Sequence, residues 1–272
     1  MTRSILTVPV QKVEGPSSTS FQDLLAVEEP LEIRLADRTI SITMRTPGND
    51  FELAAGFLFT EGIVQDAHQI RDIRWAKAGE NPRQAGNSVT VELEPGVDID
   101  FERLTRHFYT TSSCGVCGKA SIEALEMQAC PALPRDAPRV DRAIVHRLPE
   151  VLRSQQAVFD RTGGLHAAAL FNAAGELLLL REDVGRHNAL DKLIGAEFLA
   201  KHTPLHQNLI LVSGRASFEL VQKALMAGIP ILAAVGAPSS LAVETARRFN
   251  ITLIGFVRNE RFNIYSGASR IQ

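Results

Sequence analysis

The sequence predicts an α/β protein whose second half is the more regular. Short apolar, strand-like runs alternate with segments of helical periodicity from residue 165 onward. Hydrophobic residues make up 45% of the 272 residues, which is enough for a substantial core. Apolar strands separated by amphipathic helices are typical of a sheet that is covered on both faces and has a parallel portion. We therefore expect a three-layer α-β-α arrangement with a mixed sheet in this half.

The first part of the chain is predicted to be smaller and rich in strands. Its predicted elements are strands at 31–35, 40–44 and 89–93 and a helix at 50–59. The stretch 130–138 contains three prolines, which disfavour helices and central strands alike. We place the domain boundary there, with an N-terminal β-rich region at 1–138 and an α/β region at 139–272.

The second half is predicted to alternate strands and helices up to residue 257. In order, its elements are a hairpin with strands at 165–171 and 176–180, a helix at 188–199, a strand at 209–212, a helix around 218–225, a strand at 231–235, a helix at 239–249 and a strand at 251–257. The strand-to-helix turns 212–217 and 235–240 are rich in Gly and Ser. Helix N-termini in such turns can hold anions, but plain helix capping is the alternative, and neither turn has the spacing of a Rossmann or P-loop motif.

The composition of the chain argues against nucleic-acid binding, secretion and membrane association. The net charge is −2 and aromatic residues make up 6% of the chain, so we expect no nucleic-acid partner. Three cysteines do not make a secreted disulfide framework, and we expect a reducing, cytoplasmic location. No apolar run has the length of a signal-peptide core or a membrane span, so we expect no membrane partner either.

Two of the three cysteines lie close together in a glycine-flanked segment. Cys114 and Cys117 are separated by two residues and are followed by Lys119 and a run of helical character. A nearby cation and a helix N-terminus favour the thiolate, which is the reactive form of the side chain. The pattern therefore predicts a catalytic pair, with Cys114 as the more exposed thiol.

Four kinds of chemistry use such a pair. A structural zinc site needs four ligands, and since Cys130 is the only other cysteine, a histidine would have to complete it. Zinc deaminases need a His-x-Glu element, which this chain lacks, and a proline where Ser113 stands. Thioredoxin-like oxidoreductases normally carry their Cys-x-x-Cys motif early in a βαβ unit, whereas this pair follows a polar, strand-poor stretch. In a sulfur relay, Cys114 would carry a persulfide, which Cys117 would attack to release the outer sulfur, while Cys130 packs as a small hydrophobe.

Five segments give the chain its most specific signature. They are SSCGVCG at 112–118, GGLHAA at 163–168, REDVGRHNALDK at 181–192, LVSGR at 211–215, and GFVRNERFN at 255–263 with the following Tyr265 and Ser266. In this order they resemble the formate dehydrogenase accessory sulfurtransferases, the FdhD/NarQ family. The resemblance covers most of the chain. It implies a cytidine-deaminase-like fold without the zinc chemistry, no bound metal of its own, and a homodimer.

The same resemblance implies a function in the maturation of formate dehydrogenase. Sulfur would be taken from a cysteine desulfurase and delivered to the molybdenum cofactor, bis-molybdopterin guanine dinucleotide, which is bound as cargo. The residues implied in binding it are Phe256, Val257, Arg258, Asn259, Glu260 and Arg261, with Ser213 and Arg215 in a neighbouring turn. The planar guanidinium group of an arginine can donate two parallel hydrogen bonds to a phosphate, so arginines suit the pyrophosphates of such a cargo. A passive molybdenum-cofactor chaperone without sulfur relay is the alternative.

Segment 183–188 combines a carboxylate, a guanidinium, an imidazole and an amide at a predicted strand-to-helix junction. Asn188 is expected to cap the following helix. Contact with the cofactor or proton transfer by Arg186 or His187 is a hypothesis. His166 is either part of the site or a satisfied core histidine.

Overall fold

The computed structural model describes residues 4–76, 86–97, 99, 122–123, 125–126 and 130–272. Its strands are β1 (Ile5–Glu14), β2 (Ser17–Ala26), β3 (Glu29–Leu35), β4 (Arg38–Arg45), β5 (Ile70–Trp75), β6 (Ser88–Leu93), β7 (His166–Asn172), β8 (Leu177–Asp183), β9 (Asn208–Val212), β10 (Ile231–Ala234), β11 (Thr252–Arg258) and β12 (Arg261–Ser266). Its α-helices are α1 (Asp50–Thr60), α2 (Arg142–Gln155), α3 (Ala157–Thr162), α4 (Arg186–Leu199), α5 (Phe218–Met226) and α6 (Ser240–Arg248). None of these described helices is long and apolar enough to cross a membrane.

A six-stranded mixed sheet organises the second half, in the order β12-β11-β10-β9-β7-β8. Strands β9, β10 and β11 are parallel, and the outer strands run antiparallel to their neighbours. Successive residues of each strand face opposite sides, so that Ile210 and Val212 enter one core while Leu209 and Leu211 enter the other. The first core also holds α1, α4, α5 and α6, and the second holds α2. The predicted α/β class with helices on both faces of a mixed sheet is confirmed.

The N-terminal part contains a four-stranded sheet in the order β4-β3-β6-β5 and a separate two-stranded hairpin, β1-β2. The predicted strands and helix of this part are confirmed to within a few residues at each end. Leu31, Ile33 and Val89 are fully buried in the same core as α1 and α4. The two sides of the proposed boundary at residue 138 thus share one core, and the division into 1–138 and 139–272 stays a prediction.

Helices α1 and α4 cross at a pair of glycines. A methyl group on Gly56 would lie 1.9 Å from the backbone oxygen of Asp191, and one on Gly195 would lie 1.9 Å from the backbone oxygen of Glu52. Both neighbours are backbone atoms, which cannot turn aside as a side chain can. The absence of side chains here lets the two helices touch, and this contact fixes the N-terminal part against the main sheet.

A cluster of buried charges lies next to that crossing. Lys223 Nζ on α5 is 3.0 Å from Asp191 Oδ2 and 3.0 Å from Glu61 Oε1, and it donates a hydrogen bond to Thr60 Oγ1. Thr60 in turn donates to Asp191 Oδ1 at 2.8 Å. Burial raises the pKa of Asp191 to about 6, an effect that the Lys223 ammonium partly opposes. The cluster therefore ties α1, α4 and α5 together through one cation.

Candidate functional site

The carboxyl ends of the three parallel strands meet at one edge of the main sheet. Strand β9 leads into the turn at Ser213, β10 into the turn at Val235, and β11 into the turn at Asn259. Strand β7 runs antiparallel to β9, which brings its first residue, His166, to the same edge. Ligands of open α/β sheets gather beyond this edge, because the following turns present free backbone N–H groups there.

A cavity of about 960 Å³ opens at this edge. It is lined by residues at the end of α2 and the start of α3 and by residues at the strand ends, including His166, Ser213, Val235 and Asn259. Gly163 and Gly164, which follow α3, also line it. The structure thus brings two residues of the predicted site, Ser213 and Asn259, into one cavity together with His166.

The turn after β9 is held tightly against β7. The Ser213 backbone N–H donates to the oxygen of Ala167 at 2.9 Å, and the Ala167 N–H donates back to Ser213 Oγ at 2.9 Å. A methyl group on Gly214 would lie 3.3 Å from His166 Nδ1, so the turn packs closely on the histidine ring. The side chain of Ser213 therefore orients the turn, whereas Arg215 is exposed and reaches solvent.

The segment predicted to bind the cofactor forms the β11-β12 hairpin. Phe256 has a positive φ of 55°, is 38% exposed and donates its N–H to the oxygen of Gly236. Val257 is fully buried in the second core, so its side chain serves packing. The remaining four residues of the segment are exposed: Arg258, Asn259, Glu260 and Arg261.

Asp183 anchors the junction between β8 and α4. It is fully buried, 2.6 Å from Lys192 Nζ, and its oxygens accept the N–H groups of Thr46 and Gly185. The expected cap at Asn188 is wrong, because α4 begins at Arg186 and Gly185 precedes it. The Asn188 amide instead donates to the Met44 oxygen at 2.7 Å and to Asp183, and so ties β4 to the junction.

Both histidines near this junction favour the neutral form. Burial, reinforced by the Arg186 guanidinium, lowers the pKa of His166 below its ordinary value. The same two causes lower the pKa of His187 to about 4. His187 lies 3.3 Å from Ser217 Oγ through its Nε2 atom. At neutral pH both rings are therefore uncharged. Each ring then donates a hydrogen bond from one nitrogen and accepts one at the other.

Comparison with known proteins identifies the family. The model of the FdhD/NarQ family matches residues 26–272. This chain belongs to the FdhD/NarQ family. Curated relatives named "Sulfur carrier protein FdhD" are 53% identical in Mycolicibacterium paratuberculosis, covering 92% of both chains, and 53% identical in Streptomyces coelicolor, covering 96% of this chain and 94% of the relative. Another relative of that name, from Sulfolobus acidocaldarius, is 42% identical over 98% of both chains.

The fold of this FdhD/NarQ member is also that of a solved structure. The crystal structure of a candidate formate dehydrogenase accessory protein from Desulfotalea psychrophila superposes with a TM-score of 0.76 at 25% identity. The match covers 99% of this chain and all of the other. The superposition therefore includes both the N-terminal sheet and the main sheet with its edge cavity.

The paired cysteines of this FdhD/NarQ chain, Cys114 and Cys117, lie outside the described residues, as does Lys119. Their reactivity stays a prediction. Cys130 is described, and its sulfur lies 3.5 Å from Met226 Sδ and donates towards the Leu125 oxygen. Burial raises the pKa of the Cys130 thiol, which disfavours the reactive thiolate, as expected of a packing residue.

One wall of the FdhD/NarQ cavity was not indicated by the sequence patterns. Arg153 of α2, Phe159 of α3 and Gln156 between the two helices contribute to it. The spacing of Val145, Leu148 and Leu152, which are the buried residues of α2, is a helical signal that could have revealed this helix. Pro149 inside it obscures that signal, since proline disfavours a helix interior.

Proposed function

We propose that this protein is a sulfur carrier for the maturation of formate dehydrogenase, with Cys114 as the carrying thiol and Cys117 as its partner. The observation that supports this best is the high identity, over nearly the whole chain, to curated relatives named as sulfur carriers. The donor is a cysteine desulfurase, and the acceptor is the molybdenum cofactor bis-molybdopterin guanine dinucleotide, held as cargo.

The relay proceeds in two displacements. The Cys114 thiolate attacks the outer sulfur of a persulfide on the desulfurase, whose own thiolate leaves, and Cys114 then carries the persulfide. The Cys117 thiolate next attacks the Cys114 sulfur, a disulfide forms between the two residues, and the outer sulfur departs with the bonding electron pair towards the cofactor. A cellular dithiol reductant returns the disulfide to two thiols.

The edge cavity and its surroundings suit a large anionic cargo. A volume of about 960 Å³ matches a ring system with its linker and is too small for the whole dinucleotide, so we place one part of the cargo in it. Arg215, Arg258 and Arg261 are exposed and form no ion pair with any described carboxylate. Their guanidinium groups are thus available to pair with phosphate oxygens.

In this function the protein is a cytoplasmic homodimer whose partners are a cysteine desulfurase and formate dehydrogenase. It involves neither nucleic acid nor a membrane. The second candidate function is that of a passive molybdenum-cofactor chaperone. The edge cavity supports the chaperone and the sulfur carrier equally, because both must bind the cofactor.

Replacing Cys114 by alanine separates the two functions. The Cys114→Ala variant should retain bound cofactor, because the cavity residues are unchanged, yet formate dehydrogenase activity should fall to that of cells lacking the protein. Cofactor retention is measured on the purified variant, and enzyme activity in cells that express only the variant.

Cys130→Ala is the matched control, since its thiol is packed against Met226, and it should mature the enzyme normally. Normal maturation by Cys114→Ala would favour the passive chaperone and contradict the relay.

A further inference from the structure

Three consecutive residues of β8 connect the edge of the main sheet to other elements. The Arg181 guanidinium donates hydrogen bonds of 2.6 and 2.9 Å to the Glu52 carboxylate on α1, and Asp183 anchors the junction with α4. Because successive side chains of a strand point to opposite faces of a sheet, Glu182 points away from both of these contacts. Its cross-strand neighbour, Ala167, belongs to the second core, which contains α2. Glu182 is therefore the residue of the three that faces the side of α2 and α3.

Glu182 caps α3 from outside the helix. Its Oε2 atom accepts the Val158 N–H at 3.1 Å, and its Oε1 atom accepts the Phe159 N–H at 2.9 Å. These are the second and third N–H groups of the helix, which lack partners inside it and are usually satisfied by the residue just before it. That residue is Gln156, whose side chain makes no capping hydrogen bond. A carboxylate from the edge strand thus takes the place of a local cap.

The other described contacts of α3 are weaker. None of its six residues is fully buried. The Asp160 carboxylate pairs with the Arg153 guanidinium at 2.8 Å, and that guanidinium lies 4.4 Å from the centre of the Phe159 ring. Both side chains of the ion pair are about half exposed, so the pair contributes little. The hydrogen bonds to Glu182 are partly buried and charge-assisted, which makes them the strongest of these restraints on the start of α3.

The position of α3 shapes the edge cavity, because Phe159 and the glycines after the helix line it. We propose that Glu182 is a positioning residue for the cargo: it fixes the first turn of α3 against β8 and so keeps Phe159 at the lining of the cavity, where the cargo is retained. The inference rests on the proposed function, in which one part of the molybdenum cofactor lies in this cavity. It adds a residue that acts on the cargo without touching it.

Glu182→Ala tests this assignment by two measurements on the full-length protein. Hydrogen exchange follows the amides of Asp160 and Gly163, which donate to backbone oxygens of Gln156 and Phe159 and so report opening of the helix itself. Molybdenum that stays with the protein during dialysis reports release of the cargo. Both amide exchange and cargo release should become roughly tenfold faster, as expected when hydrogen bonds to a charged acceptor are lost.

Arg181→Gln is the matched control, because it removes hydrogen bonds made by the same strand on the opposite face of the sheet. It should lower the midpoint of urea unfolding, since the link from β8 to α1 is weakened, and leave cargo release unchanged. Glu182→Ala should do the reverse and unfold near the wild-type midpoint, because α3 has no fully buried side chain. Glu182→Gln keeps the shape of the side chain and one accepting oxygen, so its rate of cargo release should lie between those of the wild type and Glu182→Ala. That variant also carries the test should the alanine variant fail to fold.

Cargo release at the wild-type rate from a Glu182 variant overturns the assignment, and so does unchanged exchange of the α3 amides. Release from Arg181→Gln as fast as from Glu182→Ala also overturns it, because the effect would then follow general stability. A wild type that carries no molybdenum contradicts the proposed cargo together with this assignment. The relay itself is judged separately, by Cys114→Ala in the maturation assay.

Discussion

Replacing Lys223 by methionine is expected to lower the free energy of unfolding by about 3 to 5 kcal/mol at neutral pH, the usual cost of breaking a buried ion pair by removing one partner. Lys223 is 5% exposed and Asp191 is 2% exposed, so water cannot take over the role of the ammonium. The variant leaves Asp191 with the Thr60 hydroxyl as its described side-chain partner. Methionine keeps the length and helix preference of lysine, which confines the change to the charge.

The loss should depend on pH in a defined direction. Burial already raises the pKa of Asp191 to about 6, above its unfolded value, and Lys223 opposes that rise. Without Lys223 the pKa rises further, and a carboxyl with a raised folded pKa destabilises the protein as pH rises through that value. The deficit relative to the wild type should therefore shrink as pH falls towards about 6, because Asp191 takes up a proton in the folded variant before it does so in the folded wild type, and it should level off below about 6; urea unfolding across a pH series measures it.

Two further variants complete this test. Lys12→Met is the control, because Lys12 pairs with Glu14 on the exposed hairpin, where an ion pair contributes less than about 1 kcal/mol. Adding Asp191→Asn to Lys223→Met removes the stranded charge and should restore part of the stability. A Lys223→Met variant as stable as Lys12→Met would show that the buried cluster does not join the three helices.

Gly56→Ala is expected to destabilise the protein by about 2 kcal/mol or more, at the upper part of the range for overpacked cores. Alanine is favoured over glycine in a helix by about 1 kcal/mol, so propensity alone predicts the opposite sign. The added methyl group would lie 1.9 Å from the Asp191 backbone oxygen and 2.9 Å from the Gly195 nitrogen. Because only movement of a whole helix relieves this clash, the steric cost exceeds the gain in propensity.

The measurement is again urea unfolding, with Gly164→Ala as the control. A methyl group on Gly164 has its nearest neighbour at 3.5 Å, an ordinary contact, and its φ is not in the left-handed region. That variant should unfold within about 1 kcal/mol of the wild type. Equal stabilities of the two alanine variants would contradict the close contact between α1 and α4, because the added methyl group would then fit between the helices without a clash.

The sequence was sufficient for elements whose apolar periodicity is clear. Strands β9 and β10 are short runs buried on both faces, and α6 begins one residue after the predicted start, with Ser239 as its cap. The β1-β2 hairpin was not predicted, since most of its residues are exposed and no buried face sets a pattern. Asn188 was misread because a residue suited to capping can be recruited by a distant strand, here through Met44.

The candidate site was predictable only in part, for a similar reason. Turns that follow parallel strands can be found from the sequence, and Ser213 and Asn259 do line one cavity. The part of the lining that comes from α2 and α3 depends on how these two helices pack, which local sequence does not specify. Gln155 and Gln156 are identical in type and adjacent, yet one is exposed and the other buried, and only the tertiary fold distinguishes them.

Mass spectrometry shows whether Cys114 carries the sulfur. The purified protein is incubated with a cysteine desulfurase and cysteine, and each cysteine peptide is examined for one added sulfur. Cys117→Ala is included because it removes the attacking thiol and should trap the persulfide. We expect the added sulfur on Cys114 in this variant and none on Cys130; a Cys114 peptide that never gains sulfur would contradict the relay.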